Sequence, residues 1–442
     1  MWAAQNGLLE EWLSYGVILV ERTGRLGGRL GQYGINADSL GGTCLEFLES
    51  EQLPAALVPL RQDPLTLDMQ RYRDDFPPLP LVDRFITRVG RALAEMFAAQ
   101  PASSLLLGVE AQSIRLRRDG MLAVHARHDD GCSRILVARS AVIALGGRQF
   151  WLDQPLAPGL SLADCRLGHV LPSNALLTHE GLAKANEILR HAGTQRIVLL
   201  GGSHSAYAAA WALLELPAAR HLGDGQLVIV QRRAPRVFYS DAAAALTDDY
   251  PFTPGDICPR TQRVNRMGGL RGHGRDMWRR IARRPDVPPE NRVAVVDFRD
   301  LSASALRAEI EAAALVVPCL GYRSATLPIY DPAGRRLALK ADTNADAVGQ
   351  DCRVLLADGS RLSNVFAIGL GTGFRPTPSM GCEPNFSGQA NSLWLYQNDI
   401  GGLICSAILS IQAAASPALP RAKRTSSAKR PLKAAVTTLP TL

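Results

Sequence analysis

No two of the eight cysteines are spaced C-x-x-C, which removes zinc ribbons and thioredoxin-type redox pairs from consideration. The cysteines are scattered from Cys44 to Cys405 and are expected to be reduced thiols in a cytoplasmic protein. No apolar run approaches the ~18 residues of a membrane span. Glu10 and Glu11 interrupt the first apolar stretch, so no signal peptide is expected either. The histidines are equally dispersed, and no convincing Ser/His/Asp set, paired carboxylates or metal cluster stands out. Hydrolytic and metal chemistry therefore lose support.

The chain also has little net charge outside one segment. From Ala413 onward the tail holds Arg421, Lys423, Arg424, Lys429, Arg430 and Lys433 and no acid, so six of the net +8 charges lie there. Rich in Pro, Ser and Ala and lacking apolar periodicity, 413–442 reads as a disordered, solvated appendage, with an electrostatic tether to an acidic surface as the alternative. A body left near neutrality is not expected to bind nucleic acid. The full chain's 442 residues, 47% of them apolar, suffice for two or three domains with ample core.

What is present begins with "GVILVERTGRLGGRLGQYG". An apolar strand from Val17 to Val20 runs into Glu21 and Arg22 and then the doublet Gly27-Gly28, the order of the second strand of a dinucleotide-binding βαβ unit. An acid at that strand's end accepts ribose hydroxyls. Such units open with a strand and a G-x-G-x-x-G turn about 20 residues before the acid. Counting back from Glu21 reaches Met1, so the first strand and its phosphate loop are expected to be lacking. The stretch 83–100 has helical spacing, with Phe85, Val89, Leu93 and Phe97 on one face. Short strands punctuated by "RDG" and "DDG" follow.

A complete unit lies in mid-chain: "RIVLLGGSHSAYAAAWALLELP", then "QLVIVQRR". Gly201 permits the tight turn, and Gly202 or Ser203 lets the backbone approach a pyrophosphate. His204 and Ser205 open a helix of small residues whose amino terminus faces the anion. His204 reads as a polar filler of the turn, not as a base. Arg232 and Arg233 stand where an NAD-binding unit carries an acid, and guanidiniums there suit the 2′-phosphate of NADPH. The segment Pro259–Arg284 holds nine arginines and no lysine. It reads either as a solvated basic loop and helix or as a grip on the NADP phosphate or an acidic substrate.

Over residues 1–412 this pattern resembles flavoproteins in which an NADPH domain is inserted into an FAD domain. "SAVIALGG", ending at Gly146-Gly147, looks like the strand leaving the FAD domain, and "LVVPCLGYR" like the end of the NADPH domain. "NVFAIGLGTG", with Gly371, looks like the last FAD strand, and "LYQNDIGGLICSAIL" like a final helix. "GGSHSA" and "DDYPF" are similar to motifs of the N-hydroxylating branch of single-component flavin monooxygenases. The Baeyer–Villiger fingerprint F-x-G-x-x-x-H-x-x-x-W is absent. The resemblance implies two Rossmann-like three-layer domains: 1–160 and 326–412 for FAD, 161–325 for NADPH. It implies that NADPH reduces FAD, that O₂ adds to the reduced flavin, and that the resulting flavin hydroperoxide passes oxygen to a small amine-type substrate. An NADPH:FAD reductase or oxidase without oxygen transfer, or a flavin-free scaffold, are the alternatives. The implied cofactor contacts are Glu21, Arg22, Gly27, Gly28, Gly146 and Gly371, with Asn398 and Asp399 at a helix amino terminus facing the flavin pyrimidine. Asp399 would cap that helix.

Overall fold

The apolar runs Ile197–Leu200, Leu227–Gln231 and Leu315–Pro318 are buried almost throughout, as parallel strands between helical layers must be. In the computed structural model, which describes residues 1–343, 346–389 and 391–415, they form the middle of a five-stranded parallel sheet. Its order is 293–297, 227–231, 197–200, 315–318, 169–170. Alternate residues of each strand face opposite layers. Ile197, Leu199, Leu227, Ile229, Leu315 and Val317 pack with the helices at 179–190, 204–214 and 272–281. Val198, Leu200, Val228, Val230 and Val316 meet Leu306 and Ile310 of helix 303–311 and the leucines of 156–162. Helix 204–214 sits close to the sheet because Ala206, Ala208, Ala209, Ala210 and Ala212 are buried.

The flavin-type part is built differently from the expected second three-layer domain. Strand Ile18–Glu21 pairs in parallel with Ser104–Leu107 and, among the described residues, with no other strand. Strand Ala141–Ile143 pairs in parallel with Val365–Ala367, whose strand carries Arg353–Leu355 on its other edge. Strands 109–116, 122–128 and 133–138 form an antiparallel meander joined by Ile329–Tyr330. The sheet is thus in separate pieces, and edge residues Ile18 and Val142 stay 40% and 42% exposed. Below the first pair lies helix Leu79–Ala98, which buries Phe85, Val89 and Phe97, with Leu93 packed beside them. It starts before residue 83 because Pro80 fits its first turn.

Two short segments cross between the parts, and they pair: Gly147–Arg148 runs antiparallel to Arg323–Ser324. The last helix continues through Ala415; the basic tail, from residue 416 on, lies outside the described residues. All eight cysteines are unpaired, and no described helix is long and apolar enough to cross a membrane.

Candidate active site

The mid-chain turn has the form its sequence predicts. Gly201 adopts φ +138°, and a Cβ there would lie 2.4 Å from the Cys319 carbonyl oxygen. A Cβ on Gly202 would stand 2.5 Å from Gln231 Cβ. Only glycine lets this turn rest against both neighbouring strand ends. Ser203 is the N-cap of helix 204–214, yet its side chain caps nothing. The first backbone N–H groups, including those of His204 and Ser205, are therefore open to an anion. His204 is partly buried, and burial holds its pKa below the usual imidazole range, which suits a filler and not a cation. The turn thus offers the room and the free N–H donors that a dinucleotide pyrophosphate requires.

The two arginines after strand 227–231 divide the expected role. Arg232 Nη2 donates to the carbonyls of Pro155 and Leu156, both at 3.2 Å, and its guanidinium lies over the Phe298 ring. Arg233 is exposed and has no such partner among the described residues, so it is the freer of the two to meet a phosphate.

At the flavin-type end, Glu21 Oε1 accepts from the Thr23 N–H at 2.7 Å and from Thr23 Oγ1 at 2.8 Å. Arg22 points away, toward Glu110 at 3.9 Å, on the exposed surface. Gly27 is needed for packing: at φ +128° its Cβ would fall 2.8 Å from Thr87 Oγ1. Gly28, at φ +81°, faces open space and leaves room for a ligand. Asp83, which sequence reasoning passed over, holds this loop by accepting from Arg25 Nη2 and the Leu30 N–H, each at 3.0 Å. Gly146 also faces open space. Gly371 is required where the backbone crosses the paired segments, since its Cβ would sit 2.5 Å from the Arg323 carbonyl carbon. It lines a small recess with Tyr322 and Arg323, apart from Asn398 and Asp399.

Asn398 and Asp399 are not at a helix amino terminus. The helix starts at Leu393, and residues 396–400 form a π turn continuous with Gly401–Ala415. Asp399 therefore caps nothing; it forms a two-pronged pair with Arg260 Nη1 at 3.0 and 3.1 Å. Both residues do line a cavity of about 590 Å³, together with Trp2, Gln5, Glu46, Glu49 and Trp394. The last five carried no motif. Glu46 and Glu49 share a short 3₁₀ turn, and their only signal in the sequence was two acids among apolar neighbours.

The arginine-rich segment is neither a solvated loop nor a free grip. Arg266 is 6% exposed, donates to the Met380 carbonyl at 3.3 Å and lies 4.5 Å from the Trp394 ring centre. Met267 N–H donates to Glu383 Oε1 at 3.1 Å. Arg236 reaches the Asn385 carbonyl, and Arg271 the carbonyls of Asp38 and Arg266. Arg279 pairs with Asp248 of "DDYPF", which is 4% exposed and also accepts from the Tyr239 hydroxyl at 2.6 Å. The segment straps the nucleotide-type domain to residues 377–399.

No family model matches the chain. A curated protein does: the CMP-5'-(3-aminopropyl)phosphonate hydroxylase of Streptomyces rubellomurinus is 33% identical over 418 residues, spanning 92% of this chain and 93% of the relative. This chain belongs to the flavin-dependent N-hydroxylating monooxygenases. Its cofactors are FAD and NADPH. Among solved structures, ornithine hydroxylase from Pseudomonas aeruginosa matches with a TM-score of 0.51 at 15% identity, over 92% of this chain and 96% of that one. Its reduced form gives 0.52 at 17% over the same shares. These matches show the α/β architecture of a flavin monooxygenase with two dinucleotide-binding domains.

Proposed function

We propose that this monooxygenase hydroxylates the nitrogen of a primary amine on an aminoalkyl phosphonate carried by CMP, the substrate type in its relative's name. The identity to that hydroxylase over nearly the whole of both chains carries the reading. The cavity beside Asn398 supports it, being polar, flanked by Trp2 and Trp394, and rich in hydrogen-bond acceptors. FAD, when bound, supplies the oxygen-activating chemistry. Glu21 and Gly28 would hold its ribose end, and Asn398 and Asp399 would lie toward the ring. NADPH would rest on Gly201–Ser205, with Arg233 toward its 2′-phosphate. The boundaries at 160 and 325 are part of this reading, favoured by the paired crossings at 147–148 and 323–324. So is a flavin-type sheet without its first strand, favoured by the single neighbour of Ile18–Glu21.

The test incubates the purified chain with FAD, NADPH, air and CMP-5'-(3-aminopropyl)phosphonate. A product heavier by one oxygen, placed on nitrogen, is expected. NADPH consumption without that product would indicate a reductase or oxidase, and a protein that stays colourless with added FAD would indicate a flavin-free scaffold.

A further inference from the structure

The cavity beside the last helix holds three carboxylates, and their surroundings differ. Glu49 is paired with Arg73 at 2.7 Å, and Asp399 with Arg260 at 3.0 Å. Glu46 forms no ion pair among the described residues. Neutral groups hold it instead: the Trp394 indole N–H donates to Oε1 at 3.3 Å, and the Gln397 and Asn398 amides donate to Oε2 at 2.9 and 3.3 Å. These donors fix the carboxylate's direction and leave its charge uncancelled. A partly buried carboxylate in that state is placed to attract a cation that reaches it.

A second observation points the same way. Gln397 is 4% exposed, and its Nε2 donates to two acceptors, Glu46 and the Thr43 carbonyl at 2.7 Å. With both neighbours accepting, the amide can face only one way. Its Oε1 is then buried without a donor, as is Oε1 of Gln5 on the cavity wall. Buried acceptors left unpaired each cost about 1–3 kcal/mol. Among the described residues no lysine or arginine lines the cavity; Arg260 and Arg266 stand behind its wall, over the Trp394 ring. A spare acceptor on the wall and one uncancelled negative charge suit a primary ammonium, with its N–H donors and single positive charge. They repel a phosphate.

Building on the amine reading above, we propose that Glu46, with the side-chain oxygen of Gln5 beside it on the wall, receives the ammonium group of the substrate in this cavity. The anionic end of the molecule then extends outward, away from the carboxylates.

Calorimetry on the full chain loaded with FAD decides this, using 3-aminopropylphosphonate, free and CMP-linked, against the corresponding propylphosphonates that lack the amine. The wild type should bind the aminated member of a pair at least tenfold more tightly. Glu46→Gln should bring that ratio close to one, and Glu46→Asp, with the charge on a shorter stem, should retain part of it. Because each ratio is taken within one protein sample, partial unfolding cannot imitate the result. Equal binding of both members by the wild type, a ratio unchanged in Glu46→Gln, or no binding of any aminated probe would overturn the proposal. Product analysis separates it from the hydroxylation reading. Preference for the amine without N-hydroxylated product defeats that reading alone; hydroxylation with an unaltered KM in Glu46→Gln defeats the ammonium site alone.

Discussion

Arg232 and Arg233 are adjacent and chemically identical, yet the fold gives them different work. Arg232 spends its donors on two backbone carbonyls and its flat face on Phe298, so it ties strand 227–231 to the loop at Pro155. Arg233 forms no ion pair or hydrogen bond among the described residues. A charge-assisted hydrogen bond to a phosphate contributes about 1.5–3 kcal/mol, and ~1.4 kcal/mol is a factor of ten. Arg233→Ala should therefore lower the preference for NADPH over NADH tenfold or more. Arg232→Ala should change it much less and reduce thermal stability instead. Initial rates with both nucleotides and a melting curve for each variant check this, and equal loss of discrimination in the two would contradict the division. Gly202 allows a second test, since a methyl there meets Gln231 Cβ at 2.5 Å. Gly202→Ala should raise the KM for NADPH by about tenfold, on the order of 1.4 kcal/mol, through displacement of the turn.

Among the elements, helices 204–214 and 272–281 are joined by groups that titrate. Gly274 packs on the His204 ring, and His273 stacks on Trp211 with ring centres 4.7 Å apart. Burial lowers the pKa of both histidines. They are therefore neutral when folded, and the unfolded chain binds more protons as pH falls through about 6.5. Stability should be full above that pH and decline below it, down to the lowered folded pKa values. Urea unfolding at pH 7.5 and 5.5 measures the loss, and a His204→Gln, His273→Gln variant should lose less on acidification than the wild type. A second element-level lock is Asp248 with Arg279. Removing one partner of a buried pair costs about 3–5 kcal/mol, so Arg279→Ala should shift the urea midpoint strongly downward. These helices also show what was legible. The strand–turn–helix at 197–214 could be read because local rules govern it: buried β-branched residues, a glycine turn and small residues after it. The cavity could not. Trp2, Glu46 and Trp394 meet only through tertiary packing, with no spacing rule to announce them. The family resemblance puts Asp399 at a helix start, whereas here the helix runs through it as a π turn from Leu393 onward.

At the scale of the molecule, the two dinucleotide-type parts are held in register by more than the paired crossings. The strap from Arg236 to Arg271 and the segment 377–399 exchange bonds at several points. Arg260 meets Asp399, Arg266 meets Met380, Met267 meets Glu383, and Asn385 Nδ2 donates to Thr253 Oγ1 at 3.0 Å and Asp256 Oδ1 at 3.2 Å. Burial raises the pKa of Glu383, which marks this junction as dry. Arg266 is the centre of it: nearly inaccessible, bonded to one side of the junction and stacked on the indole whose N–H holds Glu46. The strap thus links the orientation of the NADPH-type domain to the wall of the cavity where the amine is proposed to sit. Replacing Arg266 by alanine leaves both sheets intact and removes that link. Amide exchange should then quicken at 258–270 and 377–386 while the strands at 197–200 and 227–231 stay protected. NADPH consumption should persist with a smaller yield of hydroxylated product per NADPH. Exchange that quickens throughout the five-stranded sheet would make Arg266 a general core residue, and unchanged exchange and yield would mean that the strap does not govern how the two parts meet.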